Sequence, residues 1–235
     1  MSLFSRKAPE ARLTLRALAY LLRYPDANFR SHATDLIDAL QSENALDPAR
    51  IEELSRLIAQ LTSRPAMQVE AEYVEIFDRG RRTSLLLFEH VHGDSRDRGP
   101  AMVDLVQTYE KAGLLLDPDE LPDYLPVLLE FASSQPAQQA QEFLGEFAHI
   151  VRAIFSALIS RESPYASVLA AVLELAGEKA EAIAIEPEQD LDESWAEPEA
   201  FGGCSTQGQS KPNQPQPIRI VKRASNKSPE HHQGA

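Results

Sequence analysis

Three side chains that could bind a metal ion lie close together in the sequence: His90, His92 and Asp94. Imidazole nitrogens and carboxylate oxygens are ligands of catalytic zinc, which needs three protein ligands and one open position. Two histidines that are two residues apart point the same way only on an extended segment, because helical neighbours are three or four residues apart. No HExxH-type spacing is present. A metal-dependent hydrolase that uses these three residues is therefore an alternative, and hydrogen-bonded structural histidines are the simpler interpretation.

Other catalytic chemistry has less support. The sequence contains no GxSxG nucleophile motif and no glycine-rich phosphate loop of a standard type. Its single cysteine, Cys204, excludes both a disulfide within the chain and a cysteine-based zinc site. The 235 residues carry a net charge of −13, which disfavours general binding to nucleic acid or to an anionic membrane surface. A protein partner is the simpler prediction.

The histidines belong to a longer stretch of unusual composition, Tyr73–Gly99. A short apolar run, Leu85–Phe88, separates two clusters in which arginines alternate with carboxylates. Gly80 and Gly93 are predicted to make the turns with positive φ angles. The stretch thus predicts helix, charged turn, short apolar helix, charged turn and helix. A polar rim around an apolar floor is typical of protein recognition, although the charges could instead pair with one another.

The elements that must position this stretch are helical. Apolar residues recur at three- and four-residue steps from residue 13 to about 177, and no segment alternates as a half-buried strand would. Asp47-Pro48 and Ser163-Pro164 are predicted helix starts, and Gly113 a helix end. A helix over Asp119–Phe131 is predicted with Leu121 facing inward. The fold class is therefore all-α, a single multi-helix domain with a disordered, acidic-then-polar C-terminal tail.

Composition divides the chain into three parts. Residues 1–177 are predicted to form the helical domain. Residues 178–204 are predicted to form an acidic linker, in which Trp195 and Phe201 provide a small apolar contact surface. Residues 205–235 contain too little apolar surface to order and are predicted to be a disordered tail. No signal peptide and no apolar run near the length of a membrane span is recognised, so we expect a cytoplasmic protein without direct membrane insertion.

One long motif resembles a known family. The stretch YVEIFDRGRRTSLLLFEHVHGDSRDRGPAMVDLVQTYEKAGLLL closely resembles the NarJ-type assembly chaperones of respiratory nitrate reductase, also called its delta subunit. The resemblance continues through ELPDYLPVLLEF, RESPYASVLAAVLELA and WAEPEAFGGC, and so covers most of the chain. The wider class of molybdoenzyme chaperones has a Pro-Asp-His pattern, whereas here Pro122-Asp123 precedes Tyr124. The role of that histidine in relatives must be absent or replaced at Tyr124.

The resemblance implies an all-helical, cytoplasmic, non-catalytic chaperone that is not part of the final enzyme. Such a chaperone binds the immature catalytic (alpha) subunit of nitrate reductase and delays its attachment to the membrane anchor. It also helps to insert the molybdenum bis-guanine-dinucleotide cofactor, and it binds no cofactor stably itself. The alternative to a chaperone is that this protein is a structural subunit of the final oxidoreductase.

The corresponding hypothesis is helix-in-groove recognition of an amphipathic segment at the client's N-terminus. Apolar residues would form the floor and charged residues the rim, where charge sets register and approach rate more than affinity. The predicted floor consists of Tyr73, Phe77, Leu86, Phe88, Val91 and Met102. The predicted rim consists of Arg79, Arg81, Arg82, Glu89, Asp97, Arg98 and Asp123. His90, His92 and Glu130 complete the predicted partner-binding set.

Overall fold

The computed structural model describes residues 8–93 and 95–184, and within these ranges the chain is helical. The backbone forms no strand there and pairs in extended form only at an isolated antiparallel bridge between Leu86 and Tyr124. The helices are α1 Arg12–Leu21, α2 Ala27–Ser31, α3 Ala33–Ser42, α4 Pro48–Ser63, α5 Ala66–Tyr73, α6 Leu87–Val91, α7 Arg98–Lys111, α8 Leu125–Ser133, α9 Ala137–Ser160 and α10 Ala166–Leu175. A π-helical turn, Val74–Asp78, extends α5, and a 3₁₀ turn covers Arg81–Thr83. The predicted all-α class is confirmed.

The core is built mainly from leucine and alanine. Helix α1 packs chiefly against α8, and α9 chiefly against α10. Leu18, Leu128 and Leu169 are fully buried between these helices. Burying one such leucine stabilises the fold by about 1.5–3 kcal/mol, so the helical scaffold is held mainly by apolar packing.

Helix α9 is long and apolar enough, by length and composition, to cross a membrane. Half of the residues in its most apolar stretch are buried inside the fold, where α9 contacts α8 and α10. A buried core helix meets the same length and composition criteria, and the packing here explains the apolar stretch in that way.

Several predicted helix ends agree with the structure. The Asp47 carboxylate accepts a hydrogen bond of 2.9 Å from the Ala49 amide, and Pro48 opens α4. Gly113 closes α7 with a φ of +79°, and the Leu114 amide donates back to the Tyr109 carbonyl over 3.0 Å. Gly93 also has the predicted positive φ, at +49°.

Two predictions about the start of α8 were wrong. The helix begins at Leu125, because Pro122 disfavours helical backbone before it and residues 123–125 are engaged in extended pairing. Leu121 is 46% exposed and does not face inward. Tyr124 of this unpredicted extended segment forms part of the candidate site.

Two other local predictions were also wrong. Gly80 has a φ of −90°, so a positive φ does not explain it. Glycine is needed there because a Cβ atom would lie 2.5 Å from the Ile76 carbonyl oxygen. The hydroxyl of Ser163 does not cap α10: Tyr165 precedes that helix, and Ser163 contributes its backbone carbonyl to the Ala166 amide over 3.1 Å.

The first residues after α10 run back along α9. Glu178 forms an ion pair of 2.6 Å with Arg152, and the Ile183 amide donates to the Ser156 hydroxyl over 3.0 Å. The rest of the predicted acidic linker, with Trp195 and Phe201, and the predicted tail lie outside the described residues. The three-part division of the chain stays a prediction.

Candidate functional site

Two segments that are far apart in sequence meet at the isolated bridge. The Leu87 amide donates to the Asp123 carbonyl over 3.0 Å, and the Leu125 amide donates to the Leu85 carbonyl over 2.9 Å. This pairing places the apolar run of the charged stretch directly beside the Pro122-Asp123-Tyr124 segment. Tyr109 of α7 fixes that segment from another side, because its hydroxyl donates to the Pro122 carbonyl over 2.7 Å.

Asp123 is the buried charged group of this junction. Its Oδ2 accepts a hydrogen bond of 3.0 Å from the Phe88 amide and lies 3.7 Å from the Arg98 guanidinium. Its Oδ1 is buried and has no hydrogen-bond partner among the described residues. Burial raises the pKa of the Asp123 carboxyl, and the Phe88 amide and the Arg98 charge offset this only in part. Asp123 therefore holds the start of α6 at an electrostatic cost.

Two tyrosines converge on the end of α1. The Tyr73 hydroxyl donates to the Leu22 carbonyl over 2.7 Å and lies 3.5 Å from the Tyr124 hydroxyl. The Tyr124 hydroxyl is 3.4 Å from the same Leu22 carbonyl. Burial raises the pKa of both phenols, so they stay neutral at physiological pH. In this chain, the residue at the position of the class histidine thus makes a neutral contact with Tyr73 and Leu22.

Ser84 organises the other side of the junction. Its hydroxyl donates to Glu89 Oε2 over 2.6 Å, and the His90 ring Nε2 lies 2.9 Å from its carbonyl oxygen. The Leu86 amide in turn contacts the Ser84 hydroxyl at 3.3 Å. Because Arg98 lies 3.8 Å from Glu89, that carboxylate is held from two directions. His90 is thus engaged in supporting the short helix α6.

These elements enclose a pocket of about 430 Å³, which we call the tyrosine pocket. Its lining residues are Tyr73, Phe77, Asp78, Ser84, Leu85, Leu86, Glu89 and Tyr124. Phe77 supports the floor through contacts with Tyr73 at a ring-centroid distance of 4.9 Å and with Tyr165 at 5.0 Å. The pocket therefore has an aromatic and aliphatic floor with two carboxylates among its lining residues. It lies in the part of the chain where the resemblance is densest.

The structure brings together only part of the predicted set. Tyr73, Phe77, Leu86 and Glu89 line the tyrosine pocket, and Asp123, Arg98 and His90 hold its walls from behind. Phe88 and His92 instead pack on each other at 5.6 Å, and Phe88 reaches toward Phe147 of α9 at 6.5 Å.

The remaining predicted residues do not line the pocket. Arg79 and Arg81 are exposed, and Arg79 pairs with Glu75 at 3.2 Å, in agreement with the intramolecular pairing considered from the sequence. Asp97 takes part in a local turn with Ser95, and Val91 is 53% exposed. Arg82 and Met102 are partly buried outside the pocket lining. Glu130 pairs with Arg23 at 3.0 Å in the second half of α8, away from Asp123.

Comparison with known proteins identifies the family. The sequence model of the nitrate reductase delta subunit family matches residues 27–171, which include every lining residue of the tyrosine pocket. The chain is 41% identical over 195 residues to the nitrate reductase molybdenum cofactor assembly chaperone NarJ of Escherichia coli K12, covering 79% of this chain and 83% of that protein. This chain belongs to the nitrate reductase delta subunit family.

Other relatives extend the same family. The chain is 43% identical over 163 residues to the probable chaperone NarW of Escherichia coli K12, covering 69% of this chain and 68% of NarW. It is 33% identical over 164 residues to the probable NarJ of Bacillus subtilis, covering 70% of this chain and 88% of that protein. A crystal structure from Archaeoglobus fulgidus, described as a candidate redox enzyme maturation protein, shares the fold with a TM-score of 0.50 and 19% identity, covering 75% of this chain and 99% of that one. The resemblance inferred from the sequence is confirmed, and the family role of chaperone applies to this chain.

The two alternatives gain no support. Over residues 8–93 and 95–184, no group of three or more His, Cys, Asp or Glu side chains is arranged to hold a metal ion. His90 contacts Ser84 and His92 contacts Phe88, while Asp94 lies outside the described residues. The relatives named above are chaperones, which implies a non-enzymatic role and does not match a hydrolase or a structural subunit.

Sequence reasoning left four lining residues out of the predicted site: Asp78, Ser84, Leu85 and Tyr124. The signal for Tyr124 was its place after Pro122-Asp123, where the class has histidine. Ser84 and Leu85 adjoin the predicted floor and could have been included by position. No feature of the sequence marked Asp78, because it lies in the same run of alternating acids and arginines as neighbouring charges that pair with one another.

Proposed function

We propose that this protein is a dedicated cytoplasmic chaperone of respiratory nitrate reductase that binds the immature catalytic (alpha) subunit through its N-terminal segment. By holding that segment, it delays attachment of the subunit to the membrane anchor. It thereby assists insertion of the molybdenum cofactor, in its bis-guanine-dinucleotide form, without binding the cofactor stably. The observation that carries this proposal is the 41% identity with a named assembly chaperone over 83% of that protein's length.

The tyrosine pocket supports binding of a peptide segment at this site. It is concave, Leu86 and Tyr124 in its lining are partly exposed, and it lies beside the short helix α6. An amphipathic helix binds such a surface by placing apolar side chains at three- and four-residue steps against the floor. The main-chain hydrogen bonds between the Leu85–Leu87 and Asp123–Leu125 segments hold that surface in place.

Capture of the client tests the proposal directly. The full-length protein is mixed with the apo form of the catalytic subunit, either intact or lacking its first few dozen residues, and co-purification is measured. We expect capture of the intact subunit and loss of capture on truncation. Equal capture of both forms would contradict the role of the N-terminal segment, and capture of neither would contradict the chaperone function.

Cofactor content tests the maturation step. In cells lacking this chain, we expect the catalytic subunit to accumulate with little molybdenum, and re-expression of the chain to restore the metal content. A normal molybdenum content without the chain would refute the proposed role. The finished membrane complex should also lack this protein, and its stoichiometric presence there would favour a structural subunit.

A further inference from the structure

The tyrosine pocket has a distinct charge. Asp78 and Glu89 are the ionisable acids in its lining, and no arginine, lysine or histidine from the described residues lines it. This differs from the arginine-rich rim expected from the sequence, because Arg79 turns to Glu75 and Arg98 lies behind Glu89. A ligand that enters this pocket therefore meets negative charge.

The two carboxylates are not equivalent. Glu89 already accepts a hydrogen bond from Ser84 and lies 3.8 Å from Arg98. Asp78 is exposed, and no ion pair to it occurs within residues 8–93 and 95–184. Its charge nevertheless reaches the pocket floor: burial raises the pKa of Tyr73 and of Tyr124, and the negative charge of Asp78 acts in the same direction on both. Asp78 thus remains available to a cation.

The aromatic part of the pocket lining also favours a cationic ligand. The hydroxyls of Tyr73 and Tyr124 are directed at the Leu22 carbonyl, so the polar needs of both side chains are met within the fold. Tyr124 is the partly exposed ring of the lining, whereas Tyr73 and Phe77 are each only 5% exposed. Aromatic rings attract a guanidinium or ammonium group, and a carboxylate beside them adds a charge-assisted hydrogen bond.

We propose that the tyrosine pocket binds an arginine or lysine side chain of the client's N-terminal segment, with Asp78 as its principal partner and Leu86 beside it contacting a neighbouring apolar side chain. This inference rests on the proposed function and specifies what the client segment must present at this site. Glu89 contributes less, because Arg98 and Ser84 already satisfy it.

The test uses a synthetic peptide of the first few dozen residues of the catalytic subunit and the full-length chaperone, with the dissociation constant measured by calorimetry. Asp78→Asn should weaken binding about tenfold or more, the loss expected for one hydrogen bond to a charged group. Glu89→Gln should weaken it less. Each arginine or lysine of the peptide is also replaced by glutamine in turn. The replacement that removes the bound side chain should weaken binding to the wild type, but should cause little further loss of binding to Asp78→Asn.

Asp104→Asn is the matched control. Asp104 is exposed on α7 and lies outside the pocket lining, and the change removes the same charge from the whole protein. It should leave the dissociation constant unchanged. Unaltered thermal unfolding would show that Asp78→Asn is folded, as expected for an exposed side chain.

The outcomes separate the two proposals. If the peptide binds neither the wild type nor the control, the proposed function fails at this segment. If the peptide binds the wild type but Asp78→Asn binds it equally, only the cation pocket is refuted. The pocket proposal is also overturned if no single arginine or lysine of the peptide matters, or if Asp104→Asn weakens binding as much as Asp78→Asn does.

Discussion

The tyrosine pocket and a second concave surface lie at opposite ends of α8. Tyr124 immediately precedes this helix and lines the pocket, whereas Glu130, in its second half, lines a groove of about 350 Å³. We call this the leucine groove. Its lining residues are Arg12, Arg16, Tyr109, Leu114, Leu115, Leu116, Asp117, Glu120, Val127, Glu130, Phe131, Ser133 and Ser134.

The two surfaces differ in which of their charged residues form ion pairs. In the leucine groove, Glu120 and Glu130 both pair with Arg23, at 2.9 and 3.0 Å. In the tyrosine pocket, Asp78 has no such partner among the described residues. The pocket walls are also fixed by buried hydrogen bonds, whereas Leu115 in the groove is 87% exposed. Among the described residues, the charged side chains that line the pocket are all carboxylates, which favours a cationic ligand, whereas Arg12 and Arg16 line the groove beside its leucines and acids.

The largest expected effect is at Asp123, on the pocket side of this comparison. Asp123→Ala removes the acceptor of the Phe88 amide and the partner of Arg98. A hydrogen-bonding group left unpaired at a partly buried position costs about 1–3 kcal/mol, so we expect the free energy of unfolding to fall by that amount. Urea unfolding measures it.

Glu130→Ala is the control for this prediction on the groove side. Glu130 is an exposed member of an ion pair with Arg23, and such pairs contribute about 0–1 kcal/mol. Equal destabilisation by the two substitutions would show that the buried carboxylate does not support the pocket in the way the contacts imply.

Asp123 also shows what sequence patterns can and cannot predict. Helical periodicity predicted the all-α fold, because apolar spacing depends only on local geometry, and capping residues predicted the start of α4 and the end of α7. It also predicted a helix over Asp119–Phe131, which would have placed Asp123 on a helix face. The extended pairing of Leu86 with Tyr124 joins residues that are 38 positions apart by main-chain hydrogen bonds, and no local period records such a contact.

The charged residues likewise show which features of the candidate site could not be predicted from the sequence. Seven of the eight residues that line the tyrosine pocket lie within Tyr73–Gly99, and four of them belong to the predicted partner-binding set, which stays a prediction. The sequence could not separate paired from unpaired charges, because Arg79 and Asp78 are neighbours in the same turn. Only the fold shows that Arg79 pairs with Glu75 and that Asp78 lines the pocket.

A smaller effect is expected for the tyrosine hydroxyls. Tyr73→Phe removes the 2.7 Å hydrogen bond to the buried Leu22 carbonyl and should lower the free energy of unfolding by about 0.5–1.5 kcal/mol. Tyr124→Phe should cost less, because its hydroxyl lies 3.4 Å from the same carbonyl. A double-mutant cycle by urea unfolding should show coupling between the two, and strict additivity would argue against a shared acceptor.

The dependence of stability on pH isolates the buried charge of Asp123. Burial raises the folded-state pKa of this carboxyl above its ordinary value, so between the two values the folded state binds more protons than the unfolded state. The contribution of Asp123 to the free energy of unfolding therefore falls as pH rises through that window. This direction is opposite to that of a carboxylate whose pKa is lowered by an ion pair.

Asp123→Asn keeps a side-chain oxygen but cannot titrate. We expect the stability of the wild type relative to Asp123→Asn to increase as pH falls from neutral toward the ordinary pKa of aspartate. Urea unfolding of both proteins at a series of pH values measures this difference. A difference that stays constant, or that favours the variant at low pH, would mean that the carboxyl is better solvated than its surroundings indicate.

The smallest expected effect tests the leucine groove itself. Leu115→Ser changes a side chain that is 87% exposed, so stability should change by no more than about 0.5 kcal/mol. If the client binds through the tyrosine pocket, capture of the catalytic subunit should also be unchanged, while Leu86→Ser should weaken it because Leu86 lines that pocket. Reduced capture by a stable Leu115→Ser variant would place part of the client on the groove, since loss of exposed apolar contact is the main change that this substitution makes.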